Sequence, residues 1–321
     1  MMGVSQLWAA YRAGAAHDDV AAMATTAQER FYTGLVAQAQ DARAAAVEHI
    51  TAASRQEPAR VVFAECAHYL AGLGSAGAAD TAEVYISPEA FSAFGRGGGN
   101  VELYRRTHEA LTARYRELRP AALLDIGTGE GLGLLPSLTG DVGRVDVVEP
   151  SGPRLAVTAK ALAERDIEHR TFEETMATFM AQVGAGERWD LAQETFAMLS
   201  LPSAERPATL RWLRERASRL VLVEFDVPRA EHALHPDWFD YVVTRYEAGM
   251  AEYPEPHNLV RQGFLAPVLL GTLRPDEDKV HHEQTAADWC RDLIEAGFTP
   301  EGEPRKVADF WWGEAYLIEG C

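Results

Sequence analysis

The chain has 321 residues, 47% of them hydrophobic and 24% charged, with a formal net charge of -18. Such a length exceeds a usual single core, so two domains or one elaborated domain is expected. The acidic balance, without any Lys/Arg cluster, argues against a nucleic-acid backbone or an anionic membrane as partner. Three scattered cysteines, Cys66, Cys290 and Cys321, give no disulfide framework. The apolar runs fall short of a membrane span and no signal-like apolar stretch follows Met1, so a cytoplasmic protein is expected.

From about residue 5 to 75 the sequence is Ala-rich, with apolar positions at helical spacing. Leu7, Tyr11 and Ala15 form one set, Phe31, Leu35 and Val36 a second, and Val61, Val62, Cys66 and Leu70 a third. The pattern predicts three or four helices. "GLGSAGAAD" (72–80) reads as a break, and "ISPEAF" starts a short helix with Ser87 as N-cap and Pro88 in its first turn. The glycine-dense "FGRGGGN" (94–100) is a second break. "VELYRRTHEALTARYREL" then reads as an amphipathic helix.

From Ala121 the texture changes. "AALLDIG", "RVDVVEP", "WDLAQETF" and "RLVLVEFD" are short, nearly all-apolar runs alternating with helical stretches. Parallel strands covered by helices on both faces have this composition. A doubly wound α/β domain follows, with ligands expected at the carboxyl ends of its strands. Between a fifth strand ending near Asp226 and a helix starting near Thr285 lies a long insertion, with the helix "PDWFDYVVTRYEAGMAEY" and loops containing Pro254, Pro256, Pro267 and Pro275. A connection of that length is usually a functional lid. "AGFTPEGEPRK" and "DFWWGEAYLIEG" close the chain as a strand pair.

"LLDIGTGEGLG" follows the first strand and is expected to open a helix. Gly127, Gly129 and Gly131 let a ligand approach backbone where a Cβ would collide. Glu149 ends the next strand, placed to accept ribose hydroxyls. A dinucleotide fingerprint requires glycine at 132, where Leu132 stands. The pattern D-x-G-x-G-x-G followed by V-V-E-P resembles the class I S-adenosylmethionine (SAM)-dependent methyltransferases over roughly residues 96–321. That resemblance implies a Rossmann-like seven-stranded sheet in the order 3-2-1-4-5-7-6, its last strand antiparallel, beside an all-α N-terminal domain. It implies SAM as cofactor, with Asp125 near the methionyl amine, Glu149 on the ribose and Phe172 and Glu173 flanking the adenine. Gln193, Glu194 and Thr195 would line the sulfonium end, and Tyr104 and Pro150 complete the expected cofactor residues. The expected division is residues 1–95 as a dimerising or capping domain and 96–321 as the methyltransferase domain, with a lid at 228–283.

Small-molecule O-methyltransferases of similar architecture carry a His-Asp pair after the fourth strand; here "TFAMLSLPSAER" has no histidine. The insertion holds five of the ten histidines: His232, His235, His257, His281 and His282. Imidazoles converging over the cleft, with Glu231 or Asp237 adding an oxygen, would suit iron or zinc. Solvated loop histidines are the plainer reading of spacing alone. "FGRGGGNVELYRRT", "TFAMLSLP", "VPRAEHALHPDWFD" and "VHHEQTAADW" together look similar to the bacterial 2-oxo acid C-methyltransferases, including those acting on phenylpyruvate. This resemblance implies a metal held by His232 and His282, with His281 as the weaker candidate, and a chelated enolate whose carbon takes the methyl group. Arg96 or Arg105 would pair with the substrate carboxylate. Trp238, Phe239, Phe264, Trp311 and Trp312 would shape an aromatic pocket, although aromatics at such spacing are more often core. The alternative is a metal-free O- or N-methyltransferase with a lid histidine as base. A homodimer through the N-terminal helices is expected in either case.

Overall fold

The computed structural model describes residues 2–75, 87–254, 259–274 and 281–321. His257, Pro256, Pro275 and residues 76–80 of the first glycine-alanine break lie outside them. In chain order the helices are α1 (Met2–Arg12), α2 (His17–Met23), α3 (Ala27–Ala39), α4 (Arg43–Gln56), α5 (Val61–Ser75), α6 (Pro88–Gly95) and α7 (Asn100–Leu118). Then follow β1 (Ala122–Ile126), β2 (Arg144–Val148), α8 (Gly152–Glu164), β3 (His169–Phe172), α9 (Met176–Gln182) and β4 (Leu191–Thr195). After a 3-10 turn at Met198–Ser200 come α10 (Arg206–Arg216), β5 (Leu220–Asp226), α11 (Pro236–Ala251), α12 (Ala266–Thr272), α13 (Ala286–Glu295), β6 (Arg305–Ala308) and β7 (Glu314–Gly320).

These elements form two compact units: residues 1–99 with 230–280, and 100–229 with 281–321. The expected division differs in one respect, since the insertion falls with the N-terminal helices rather than with the sheet. Apolar packing explains it. Phe239 of α11 is fully buried, edge-on to Tyr32 of α3 at 5.1 Å and 6.3 Å from Phe31, which stacks on Phe63 of α5 at 4.8 Å. Five helices precede residue 76, one more than the periodicity suggested. The extra boundary comes from capping. Thr26 accepts the Glu29 N–H while the Glu29 carboxylate accepts the Thr25 and Thr26 N–H groups, which starts α3 afresh inside an Ala-rich run. Ser87 caps α6 as expected, accepting the Ala90 N–H at 3.1 Å.

All seven strands belong to the second unit, in the order β3-β2-β1-β4-β5-β7-β6. β7 runs antiparallel to both β5 and β6, and the remaining pairs are parallel. This is the order that the resemblance implied. Leu123, Val145, Val147, Leu191, Val221 and Val223 pack against Leu111 and Tyr115 of α7 and Leu155 and Leu162 of α8. Each such side chain, fully buried, contributes about 1.5–3 kcal/mol.

One expectation fails at the glycine loop, where no α-helix follows β1. Residues 129–137 run as turns and a bend, with the Leu135 N–H donating to Gly131 O at 2.9 Å and the Leu138 N–H to Leu134 O at 3.2 Å. Gly131, Gly133 and Pro136 explain this, because glycine pays backbone entropy in a helix and proline lacks the donor. Among the described residues, no helix is long and apolar enough to cross a membrane.

Candidate functional site

The site begins at the carboxyl ends of β1 and β2, where the sheet order reverses between β1 and β4. Asp125 is 3% exposed and lies opposite Gln193 in the β1–β4 register. Gln193 donates through Nε2 to the Asp125 carboxylate at 2.8 Å, and its own carbonyl accepts the Tyr115 hydroxyl at 2.5 Å. Burial pushes the Asp125 pKa up to about 6 despite that hydrogen bond. Glu149, just past β2, is also buried. Its two oxygens accept the backbone N–H groups of Gly129 and Ser151, both at 2.9 Å. A carboxylate oxygen has two acceptor sites, so both retain capacity for a hydroxyl.

The three glycines answer to different constraints. All have positive φ: 66° at Gly127, 55° at Gly129 and 73° at Gly131. A Cβ on Gly127 would stand 2.5 Å from the Ala197 methyl, and one on Gly131 would stand 2.6 Å from Leu135. Those two positions are closed by packing. A Cβ on Gly129 would meet nothing within 4 Å. Open space over that one backbone position, beside two buried carboxyls, is what a bound ligand requires. The ammonium, ribose and close backbone approach of SAM fit this set of groups.

The other expected cofactor residues are dispersed around this centre. Pro150 follows Glu149. Phe172 ends β3, edge-on to Phe179 at 4.8 Å. The Glu173 carboxylate lies against the start of α8, where a Cβ on Gly152 would approach it to 2.5 Å. Tyr104 of α7 meets Phe196 edge-on at 6.1 Å. Thr195 Oγ1 is buried without a hydrogen-bond partner. Glu194 is fully buried, and one of its oxygens accepts the N–H groups of Ala197 (2.9 Å) and Met198 (3.0 Å). It thereby holds the turn after β4.

The "HHEQT" segment is laid across the carboxyl ends of β4 and β5. The His282 N–H donates to Leu199 O at 2.8 Å, and the Val227 N–H donates to Gln284 O at 3.2 Å. Arg206, 1% exposed, ties the two places together. Its guanidinium donates to the carbonyls of Leu199 and His282 and, at 2.8 Å, to Gln284 Oε1. Burial pushes the His281 pKa down to about 4, with adjacent His282 adding to the shift, so its ring is uncharged at neutral pH. Sequence reasoning missed Arg206 and Gln284. "ERPAT" reads as a helix start, and nothing local announces that its arginine turns inward.

The remaining candidates divide between the two units. His232 belongs to the helical unit. Its Nδ1 accepts the Leu234 N–H at 3.0 Å, and its ring lies 4.9 Å from Trp8 and 5.9 Å from Tyr11. With Glu231, His235, Trp8 and Arg12 it lines an open cleft of about 450 Å³. His235 caps α11, and the Asp237 carboxylate beside it is exposed. His281 and His282 belong to the sheet unit. Among the described residues, no group of three or more His, Cys, Asp or Glu side chains is placed to hold a metal ion. Arg96 ends α6 with its guanidinium on the Ser92 hydroxyl. Arg105 is exposed and paired with Glu102 at 2.6 Å and with Glu109. Trp238, Phe239 and Phe264 are buried in the helical unit. Phe264 lies 4.5 Å from Phe94. In the sheet unit, Trp311 and Trp312 lie edge-on at 6.0 Å, and Trp312 donates to Glu283 at 3.2 Å.

No protein-family model matches this sequence, and no curated protein matches it. Solved structures do resemble it. A magnesium protoporphyrin IX methyltransferase from Synechocystis PCC 6803 with bound SAM is 14% identical, over 77% of this chain and 99% of that one, with a TM-score of 0.47. A putative O-methyltransferase from Nostoc punctiforme PCC 73102 is 14% identical, over 81% and 68%, with a TM-score of 0.48. A mitomycin 7-O-methyltransferase is 14% identical, over 85% and 71%, also with a TM-score of 0.48.

Proposed function

We propose that this chain is a SAM-dependent methyltransferase of a small molecule. The observation that carries the reading is the cradle over Gly129, open where a Cβ would stand and flanked by the Asp125 and Glu149 carboxyls. Bound SAM would supply an electrophilic methyl group. The residues of the chain would do the positioning. Asp125 takes the cofactor's ammonium and is ionised by it, and Glu149 accepts the ribose hydroxyls. Gly129 exposes backbone without a side chain in the way. The "HHEQT" segment brings two imidazoles to the same sheet edge, and His282 is assigned as the group that takes the acceptor's proton.

For the acceptor, we infer a 2-oxo acid methylated at C3, on the resemblance carried by "TFAMLSLP" and "VHHEQTAADW". No step is routed through iron or zinc. Titration calorimetry with SAM tests the first level, and absence of binding at millimolar cofactor would sink it. Incubation with methyl-labelled SAM and phenylpyruvate or indolepyruvate, read by NMR beside elemental analysis of the protein, tests the second. Label appearing on a phenol or amine, and never on the keto acids, transfers the assignment to the O- or N-methyltransferase alternative. The proposed homodimer is checked by light scattering.

A further inference from the structure

Glu194 and Glu224 form a buried carboxyl pair, of which the cofactor reading places only Glu194, at the sulfonium end. Both are 1% exposed or less, one at the end of β4 and the other on β5. Glu194 pairs in register with Leu222, two residues from Glu224, so both acids lie on one face of the sheet. Glu194 Oε2 accepts Ala197 and Met198, and Glu224 Oε1 accepts Leu199 at 2.9 Å. Three successive N–H groups of the turn after β4 therefore end on this pair. The two remaining oxygens, Glu194 Oε1 and Glu224 Oε2, are buried with no hydrogen-bond partner. Two ionised carboxylates could not satisfy each other there, since both are acceptors only. A single proton between the orphaned oxygens satisfies both.

We infer that Glu194 and Glu224 share a proton, and that this bond positions the Phe196–Leu199 turn, which supports the cofactor loop on one side and the His282 segment on the other. The turn touches both. Ala197 occupies the space that a Cβ on Gly127 would need, and Leu199 O accepts the His282 N–H. Phe196 holds a left-handed φ of 53°, a conformation costly for an aromatic residue unless its surroundings impose it. The charged neighbours favour a retained proton on balance. Asp125 of β1 raises Glu194, and Glu283 raises Glu224. Arg206 of α10 opposes them, although its direct bonds go to the carbonyls of Met198, Leu199 and His282 and to Gln284. Opposite Glu224 in the β5–β7 register, Tyr316 directs its hydroxyl to Glu314. Burial is the largest cause holding both carboxyls above the ordinary glutamate range.

The inference rests on the cofactor reading for its SAM readout and not for its stability readout, so the two can fail separately. In Glu224→Gln the amide oxygen still accepts Leu199, and the amide N–H replaces the shared proton permanently. In the double Gln variant two donors face each other. A pair with raised folded pKa values loses stability as pH rises from the ordinary glutamate range through those values. The wild-type unfolding midpoint should therefore decline, as pH rises from the ordinary glutamate range through about 7 and beyond, more steeply than that of Glu224→Gln. Glu224→Gln should bind SAM within about threefold of wild type at pH 6 and hold that affinity at pH 8.5, where wild type weakens. The double variant should lose at least about tenfold, more than both single changes predict. Parallel stability profiles in wild type and Glu224→Gln, or a double variant no worse than the singles, would overturn the shared proton. Changed stability profiles with unchanged SAM affinity in every variant would overturn the positioning role. No SAM binding by any form, with the stability profiles as expected, would sink the cofactor reading and the positioning role while leaving the proton pair standing.

Discussion

The two units solve the problem of a core in opposite ways. Among the described residues, the helical unit buries only Thr33 and Glu65 as polar side chains. Glu65 is matched there by Arg261 at 3.3 Å and Gln262 at 2.8 Å. The sheet unit buries Asp125, Asp146, Glu149, Gln193, Glu194, Glu224, Arg206 and Gln284. A buried ionisable group is costly unless paired. Asp146 is paid for by Arg170 and Trp189, which lie at 2.7 Å. The others cluster at one end of the sheet and bond mainly to backbone amides, carbonyls and side-chain amides. Such expense concentrated in one place marks chemistry, whereas the helical unit is built for packing.

The comparison can be broken first by apolar truncation. Phe239→Ala in the helical unit should cost about 3–5 kcal/mol, because a fully buried ring leaves a cavity. Unfolding at several pH values should return the same loss at each, since no proton is involved. Gly127→Val in the sheet unit should cost about 3 kcal/mol, from a β-branched residue at positive φ and a clash with Ala197. It should also abolish SAM binding in calorimetry.

Glu149→Ala leaves the Gly129 and Ser151 N–H groups without their acceptor, and about 2 kcal/mol of cofactor affinity should go with it, roughly thirtyfold in Kd. Asp125 supplies a titration. Its folded pKa, about 6, lies above the ordinary aspartate value, so its contribution is full below the unfolded pKa and is lost as pH rises through 6. The wild type should lose up to about 3 kcal/mol across that window, and Asp125→Asn should flatten the profile. SAM binding near pH 5.5 should release a proton, seen as an enthalpy that depends on the buffer. Smallest of all, Arg105→Ala should leave both the unfolding midpoint and the keto-acid KM unchanged, since the guanidinium is exposed and engaged by Glu102 and Glu109. A raised KM would return Arg105 to the substrate.

The centre of the sheet was legible because β1, β2 and β5 are short, nearly all-apolar runs. "RLVLVEFD" became β5 almost residue for residue. The glycine loop and its acids were legible because left-handed backbone and buried carboxyls need particular residue types. The missing helix after β1 was hidden by the helical spacing of Leu132, Leu134 and Leu135, which Pro136 defeats. The Glu194–Glu224 pair was invisible for a different reason. It joins residues thirty positions apart through strand register, and a lone glutamate inside "LAQETF" or "LVLVEFD" carries no mark of its partner. The insertion's preference for the helical unit was concealed similarly, since packing of Phe239 on Tyr32 spans two hundred residues of chain.

The anchoring of "HHEQT" has an evolutionary corollary. Its two anchors at 282 and 284 are main-chain bonds, and Arg206 grips a carbonyl and the Gln284 amide rather than either imidazole. Exchange of the side chains at 281 and 282 therefore preserves all of those fastenings. New reactivity can be tried at this rim without renegotiating the architecture beneath it.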